Sequence, residues 1–399
     1  MAVGESSTDF LPVAGVRLAS MPCGIKSRGS TDLVLFEFAE GSVTAGIFTL
    51  SHFAAAPVRV GRRHLEKMAS RFFLINSGNA NAATGEAGIV DAELCCKALS
   101  QQTGVQPEEV IPFSTGVIGE RLPVSKITDA LETITTKLDE KNWLEAAKGI
   151  MTTDTRPKIA SRQVVLGGTT VTLTGIAKGA GMIQPNMATM LAYIATDAAC
   201  QRPLLQRLLS QGADRSFNRI TVDSDTSTND SCMLTATGRA GVEIGEDDTA
   251  FAEALADLMK ELAHGIDRDA EGATKFVAVC VNGGKTESDC LAIAYSIANS
   301  PLIKTALFAS DANWGRIVMA IGKSNAELEI SRIDIYLDDV RLMKSGGKDP
   351  DYREEMGAAV MAKEEITIRV ELNLGDCSET VWTSDLSHDY VSINADYRS

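Results

Sequence analysis

At 399 residues the chain exceeds the size at which one hydrophobic core usually stops growing, so two or more subdomains are expected. Hydrophobic residues at 44% and charged residues at 23% suit a soluble globular protein, and no apolar run approaches the roughly 20 residues that span a bilayer. A net charge of −15 without a basic patch argues against nucleic acid, and eight scattered cysteines with no C-x-x-C pair argue against a disulfide framework or a zinc site.

The start, Met-Ala-Val-Gly-Glu-Ser-Ser-Thr-Asp, lacks the basic and apolar stretches of a signal peptide, so a cytoplasmic protein is expected. Runs 33–38 and 43–49 read as two strands joined by a Gly-containing turn, and 71–75 as a third leading into Asn76-Ser-Gly-Asn-Ala-Asn81. Apolar spacing predicts helices over 88–103, 124–138 and 142–151. Residues 163–174 read as a hairpin turning at Gly167-Gly168. A strand beyond residue 189, a helix over 201–217, a strand at 219–223 and a long helix over 247–264 follow. The run 275–282 is a strong strand. From about 286 the chain reads as two or three helices to 322, strands near 326–343 and a strand over 366–372. This alternation predicts a layered α/β sandwich with a smaller α/β domain over 283–399.

Several familiar motifs fail on inspection. Gly284-Lys-Thr and Gly322-Lys-Ser imitate the end of a P-loop, but Val279 and Ile317 stand where its first glycine belongs. Gln184 occupies the third-glycine position of a dinucleotide fingerprint beginning at Gly179. No G-x-S-x-G elbow is present, and the four histidines lie far apart. The acidic run 267–271 lacks the spacing and central glycine of a calcium loop.

The segment Lys178-Gly-Ala-Gly-Met-Ile-Gln-Pro-Asn-Met-Ala-Thr-Met-Leu191 carries the chemistry. An internal threonine hydroxyl is a weak nucleophile with no base of its own. Scission between Ala188 and Thr189 supplies one: a new α-amine, of reference pKa about 7.7–8.0, within reach of the same residue's hydroxyl. The hydroxyl would attack the preceding carbonyl, an ester would form by N-to-O acyl shift, and water would release the pieces. Gly179, Gly181 and Pro185 are suited to holding the strained turn this needs. By residue type alone Thr189 is also an ordinary β-branched start to a buried strand, and Thr115-Gly116 within Ser114-Thr-Gly-Val-Ile-Gly119 an ordinary strand-to-loop turn.

The segment closely resembles the self-processing site of the ornithine acetyltransferase (glutamate N-acetyltransferase) family of arginine biosynthesis. The resemblance runs nearly the full length and includes 76–81, 218–230, Asp311-Ala-Asn-Trp-Gly-Arg316 and the terminal Val391-Ser-Ile-Asn-Ala-Asp-Tyr-Arg-Ser399. It implies a fold like that of N-terminal-nucleophile enzymes, fragments 1–188 and 189–399 in an α2β2 heterotetramer, and residues 189–282 completing the core. Thr189 would be the nucleophile, and Thr115 and Gly116 the oxyanion hole. Thr152, Lys178, Glu271, Asn394 and Ser399 would join Thr189 in binding substrate, with Lys178 suited to a carboxylate and Glu271 to an amino group. Ser399 stands where the family often has threonine, and the stretch 49–57 departs from the family near Ser51, away from every mapped position. The implied reaction moves acetyl from N-acetylornithine to glutamate by a ping-pong route, without cofactor or metal, leaving acetyl-CoA open as an alternative donor. A related N-terminal-nucleophile amidase or aminopeptidase is the competing reading, and a non-catalytic relative a second.

Overall fold

The computed structural model describes residues 2–5, 7–26, 29–184 and 190–396, which divide into two compact units. Thr189 and its neighbour Ala188, like Ser399, lie outside the described residues.

The larger unit spans Ser6–Asn218 and Asp225–Ile266. Strands β1 (Val16–Met21), β2 (Leu33–Phe38), β4 (Phe72–Asn76) and β5 (Val110–Ser114) form one sheet in the order β1-β2-β4-β5. The second sheet runs β3-β10-β8-β7-β6, from β3 (Val43–Phe48), β6 (Lys158–Leu166), β7 (Thr169–Lys178), β8 (Leu191–Thr196) and β10 (Ser231–Ala236). Side chains alternate across a strand, so the continuous apolar run of β2 serves two faces. Val34, Phe36 and Phe38 enter the core between the sheets, while Leu33 and Leu35 meet the helices outside. In β4, Phe73 and Ile75 point inward and Phe72 and Leu74 outward.

Tyr193 of β8 knits the inner core, its ring 5.4 Å from Phe36, 5.8 Å from Phe73 and 5.0 Å from Phe113. Such pairs add about 0.5–1.5 kcal/mol each beyond their burial. Helices α1 (Ala56–Lys67), α2 (Gly85–Thr103), α3 (Val124–Thr128) and α4 (Leu131–Thr135) cover the outer face of the first sheet through Val60, Cys96, Leu99, Ile127 and Ile134. Helix α5 (Trp143–Gly149) sends Trp143 and Ala146 into the inner core. On the far face of the second sheet lie α6 (Arg202–Asp214) and α7 (Thr249–Arg268), where Gly175 of β7 leaves room for Leu258 and Leu262. Helices, sheet, sheet and helices make four layers, the sandwich expected. The hairpin β6-β7 turns where predicted: Gly167 and Gly168 have φ of 55° and 85°, as a two-residue turn matched to strand twist requires.

The smaller unit comprises Met1–Glu5, Arg219–Ser224 and Asp267–Ser399. Its seven-stranded sheet includes β9 (Ile220–Thr221), β11 (Phe276–Gly284), β12 (Asp334–Leu337), β13 (Val340–Lys344), β14 (Gly347–Lys348), β15 (Glu365–Glu371) and β16 (Cys377–Ser384), ordered β14-β13-β12-β15-β11-β16-β9. Its helices are α8 (Glu287–Ala298), α9 (Pro301–Phe308), α10 (Trp314–Gly322), α11 (Glu354–Met361) and α12 (His388–Ala395). The boundary expected at 283 is corrected. Strand β11 is bonded on both sides within this sheet, parallel to β15 and antiparallel to β16, so it cannot end the larger unit. The predicted helix 124–138 divides into α3 and α4, and the strand predicted at 219–223 shrinks to two residues. All eight cysteines are free thiols. Among the described residues no single helix is long and apolar enough to cross a membrane.

Candidate functional site

In the larger unit the two sheets present their chemistry at one end. Register places Lys178 beside Leu191 and Leu191 beside Ser231, across β7, β8 and β10. In the other sheet Asn76 ends β4 opposite Ser114 of β5. Asn229, just before β10, joins them: its amide donates to the carbonyls of Ala80 (2.7 Å) and Ser114 (2.9 Å).

Thr115 and Gly116 follow directly on β5 and rest on the asparagine-rich loop after β4. The Thr115 N–H donates to the Asn76 carbonyl at 3.0 Å, and Ala80 N–H to that of Val117 at 2.9 Å. Asn76 Nδ2 donates to Ser114 Oγ (2.6 Å), and Asn79 Nδ2 to the carbonyls of Glu120 (3.2 Å) and Arg121 (3.3 Å). Gly116 has φ of 125°, and a Cβ there would come within 2.5 Å of the Gly78 carbonyl carbon, so glycine is required twice over. Its N–H has no acceptor among the described residues, which leaves a fixed donor beside the Thr115 hydroxyl. The loop 76–81, legible in sequence only as turns, is the bed on which this pair lies.

Thr152 and Lys178 are also brought together, with Lys178 Nζ 3.4 Å from Thr152 Oγ1. Buried Asp154 organises them. It accepts from the N–H groups of Thr152 (2.9 Å) and Gly179 (2.8 Å) and from Lys158 Nζ. Burial would raise its carboxyl, but the ammoniums of Lys158 and Lys178 and the Gly179 N–H prevail and hold it well below the usual carboxylate range. A further cation, Lys26, stands close by. Its Nζ donates to the carbonyls of Met151 (2.7 Å) and Thr31 (3.2 Å). Burial pushes its ammonium down, Asp32 opposes this, and Lys178 adds to it. Lys178 and Lys26 thus give this corner a positive field suited to a carboxylate.

Asp230 lies at the mouth of β10. Its carboxyl accepts from the N–H of Met190 and bonds Ser227, while Oδ2 has no partner among the described residues. Burial drives it far above the ordinary carboxylate range, against the pull of Lys178. Thr49, from the stretch that departs from the family pattern, donates its N–H to the Asp230 carbonyl at 2.9 Å. Sequence reasoning missed Lys26, Asp154, Asn229 and Asp230. The polar run 218–230 was the available signal for the last two.

Glu271 and Asn394 belong to the smaller unit, where Asn394 Nδ2 donates to Glu271 Oε2 at 2.7 Å. Four residues earlier on α12, Tyr390 bonds Asp223 at 3.0 Å. Gly272 permits this docking: a Cβ there would meet Ser387 Oγ at 2.5 Å and Tyr390 N at 2.7 Å. The tail before residue 397 is therefore an ordered helix with two polar anchors. Among the described residues no His, Cys, Asp or Glu side chains are grouped to hold a metal.

The ArgJ family model matches residues 17–399. The chain belongs to the ArgJ family. ArgJ relatives named arginine biosynthesis bifunctional proteins, from Pseudomonas fluorescens (strain Pf0-1) and Pseudomonas syringae pv. tomato, are each 54% identical over 406 residues, covering 100% of both chains. Among solved structures, an ArgJ protein from Bacillus halodurans is 38% identical over 50% of this chain and 96% of its own, with a TM-score of 0.48. An ornithine acetyltransferase complexed with ornithine, from Mycobacterium tuberculosis, is 36% identical over 44% of this chain and 93% of its own, with a TM-score of 0.38.

Proposed function

We propose that this ArgJ chain cuts itself between Ala188 and Thr189 and then transfers acetyl from N-acetylornithine to glutamate, giving ornithine and N-acetylglutamate. Family membership carries the coarser statement, an acyltransferase of arginine biosynthesis. The finer reading is supported above all by the Thr115-Gly116 turn, whose forced backbone offers an N–H beside a hydroxyl at the sheet end where β8 begins.

In this reading the Thr189 hydroxyl adds to the acetyl carbonyl while its proton passes to the α-amine of the same residue. The oxyanion rests on Thr115 and Gly116. Collapse returns the proton to the departing ornithine nitrogen and leaves an acetyl ester on Thr189. The glutamate amine attacks that ester, the same groups act in reverse, and the acyl bond energy is retained throughout, so no cofactor is called for. Thr152 and Lys178 hold a substrate carboxylate, and Glu271, Asn394 and Ser399 complete binding. The two fragments remain together as an α2β2 heterotetramer in the cytoplasm.

An assay of N-acetylornithine with and without glutamate tests this. Acetylglutamate formed only with glutamate supports the transferase, whereas ornithine released at the same rate without acetylglutamate makes the chain a hydrolase. Acetyl-CoA with glutamate, in the same assay, reads out a second donor. Thr189→Ala is expected to abolish both scission and transfer.

A further inference from the structure

We propose that Lys26 is a second ammonium of the substrate-carboxylate pocket, taking with Thr152 and Lys178 the α-carboxylate that N-acetylornithine and glutamate share. The inference rests on the acetyl-transfer reading above and adds a binding residue to it.

The loop that carries Lys26 is built around one side chain. Asp32 is fully buried, and its carboxylate accepts the N–H groups of Cys23 (2.6 Å), Ile25 (2.6 Å) and Lys26 (2.8 Å). Bonds to a charged acceptor are strong, and three of them fix the backbone from which the Lys26 side chain leaves. Its Nζ then donates to the carbonyls of Met151 at 2.7 Å and Thr31 at 3.2 Å. An ammonium has three N–H groups, so one is left over, and no carboxylate pairs with this ammonium among the described residues. A half-buried cation without a counter-ion has given up solvation that an anion would replace.

Met151 sets that cation beside Thr152. The Met151 carbonyl oxygen and the Thr152 hydroxyl hang from the same peptide plane, at most about 5 Å apart. With 2.7 Å from Nζ to that carbonyl, Lys26 Nζ lies within about 8 Å of Thr152 Oγ1. The oxygens of a carboxylate are about 2.2 Å apart, so with a hydrogen bond of about 2.8 Å at each end it bridges groups up to about 8 Å apart. Lys178 Nζ, 3.4 Å from Thr152 Oγ1, closes the other side. Burial disfavours the Lys26 charge, Asp32 offsets part of this, and Lys178 adds to it, so an anion beside both ammoniums relieves both.

Lys26→Met keeps the stem and removes the charge. The test is titration calorimetry of the purified protein with ornithine and with its carboxamide, which keeps the shape and hydrogen-bonding oxygen of the carboxylate but not its charge. The variant is expected to bind ornithine at least about tenfold more weakly than the parent and the carboxamide within about threefold. In the transfer assay KM is expected to rise at least about tenfold for N-acetylornithine and for glutamate alike. An equal loss for ornithine and its carboxamide would make Lys26 a prop for Thr152 only and overturns the proposal. So does an unchanged affinity for ornithine, or a KM that rises for one substrate alone. If Lys26→Met does not fold, Lys26→Gln is read by the same outcomes. A parent that transfers no acetyl defeats the reaction reading whatever the titrations give; titrations that fail in a parent that does transfer defeat this inference alone.

Discussion

Gly116 shows how narrowly the oxyanion pair is built. Its φ of 125° strains any side chain, and a Cβ would press on the Gly78 carbonyl, so the loop must shift to accept one. Displacing a single oxyanion donor typically costs about 10²–10³ in rate. Gly116→Ala is therefore expected to lower kcat for acetyl transfer by about 10²-fold or more. A steady-state assay showing less than a threefold loss would separate this turn from the reaction, on the usual range for such donors. The residues around it were legible to very different degrees. Thr115, Gly116, Thr152 and Lys178 came from resemblance, and the structure supplies what holds each pair: the loop after β4 under Thr115 and Gly116, and the buried Asp154 carboxylate beside Thr152 and Lys178. Asn229, Asp230 and Asp154 were opaque because asparagine and aspartate in a polar run signal turns. Only the fold reveals that these are buried and bonded to specific partners.

Among the elements, β8 carries an internal cost. Tyr193 is fully buried, and its hydroxyl has no partner among the described residues while its ring completes the aromatic core. Tyr193→Phe keeps the ring and removes the stranded oxygen, so the fold is expected to gain about 1 kcal/mol. A urea titration checks this, and a loss of stability would mean that the hydroxyl has a use. Helix α1 carries a pH-sensitive contact. His64 Nδ1 lies 2.8 Å from the Val110 carbonyl, and burial lowers the imidazole's affinity for a second proton despite that bond. Below about pH 6.5 the unfolded chain takes up a proton that the folded chain resists, so His64's contribution is present above that pH and lost beneath it. His64→Gln is expected to flatten the fall in denaturation midpoint between about pH 7.5 and about pH 5.5. An unchanged slope would place the sensitivity elsewhere.

Helix α1 itself escaped sequence reading, since Pro57, Val58, Val60 and Gly61 are weak helix formers and burial decides their conformation. Strand β10 escaped because all six of its residues are buried, leaving no alternation to detect. By contrast, β2, the Gly167-Gly168 hairpin and β11 stood out because propensity, turn chemistry and burial agree.

For the molecule as a whole, scission before residue 189 divides a sheet rather than a linker. Strand β8 would open the second fragment, yet it is bonded to β7 of the first, and β10 of the second is bonded to β3 of the first. Every residue of β8 is buried. The fragments are thus expected to co-purify at equal stoichiometry and to part only in denaturant, as native mass spectrometry would show. Free fragments in native buffer would contradict the placement of the cut. The boundary between units was less legible than either core, because the smaller unit borrows residues 219–224 and 267–282 from stretches that read as continuous with the larger one.

The decisive measurement is the mass of each polypeptide after incubation with N-acetylornithine and no glutamate. The expected result is two species, 1–188 unmodified and 189–399 heavier by one acetyl group, with the acetyl lost on adding glutamate. A single full-length species that nevertheless turns over substrate, or two fragments of which neither ever carries acetyl, would contradict a self-made N-terminal threonine as the acyl carrier.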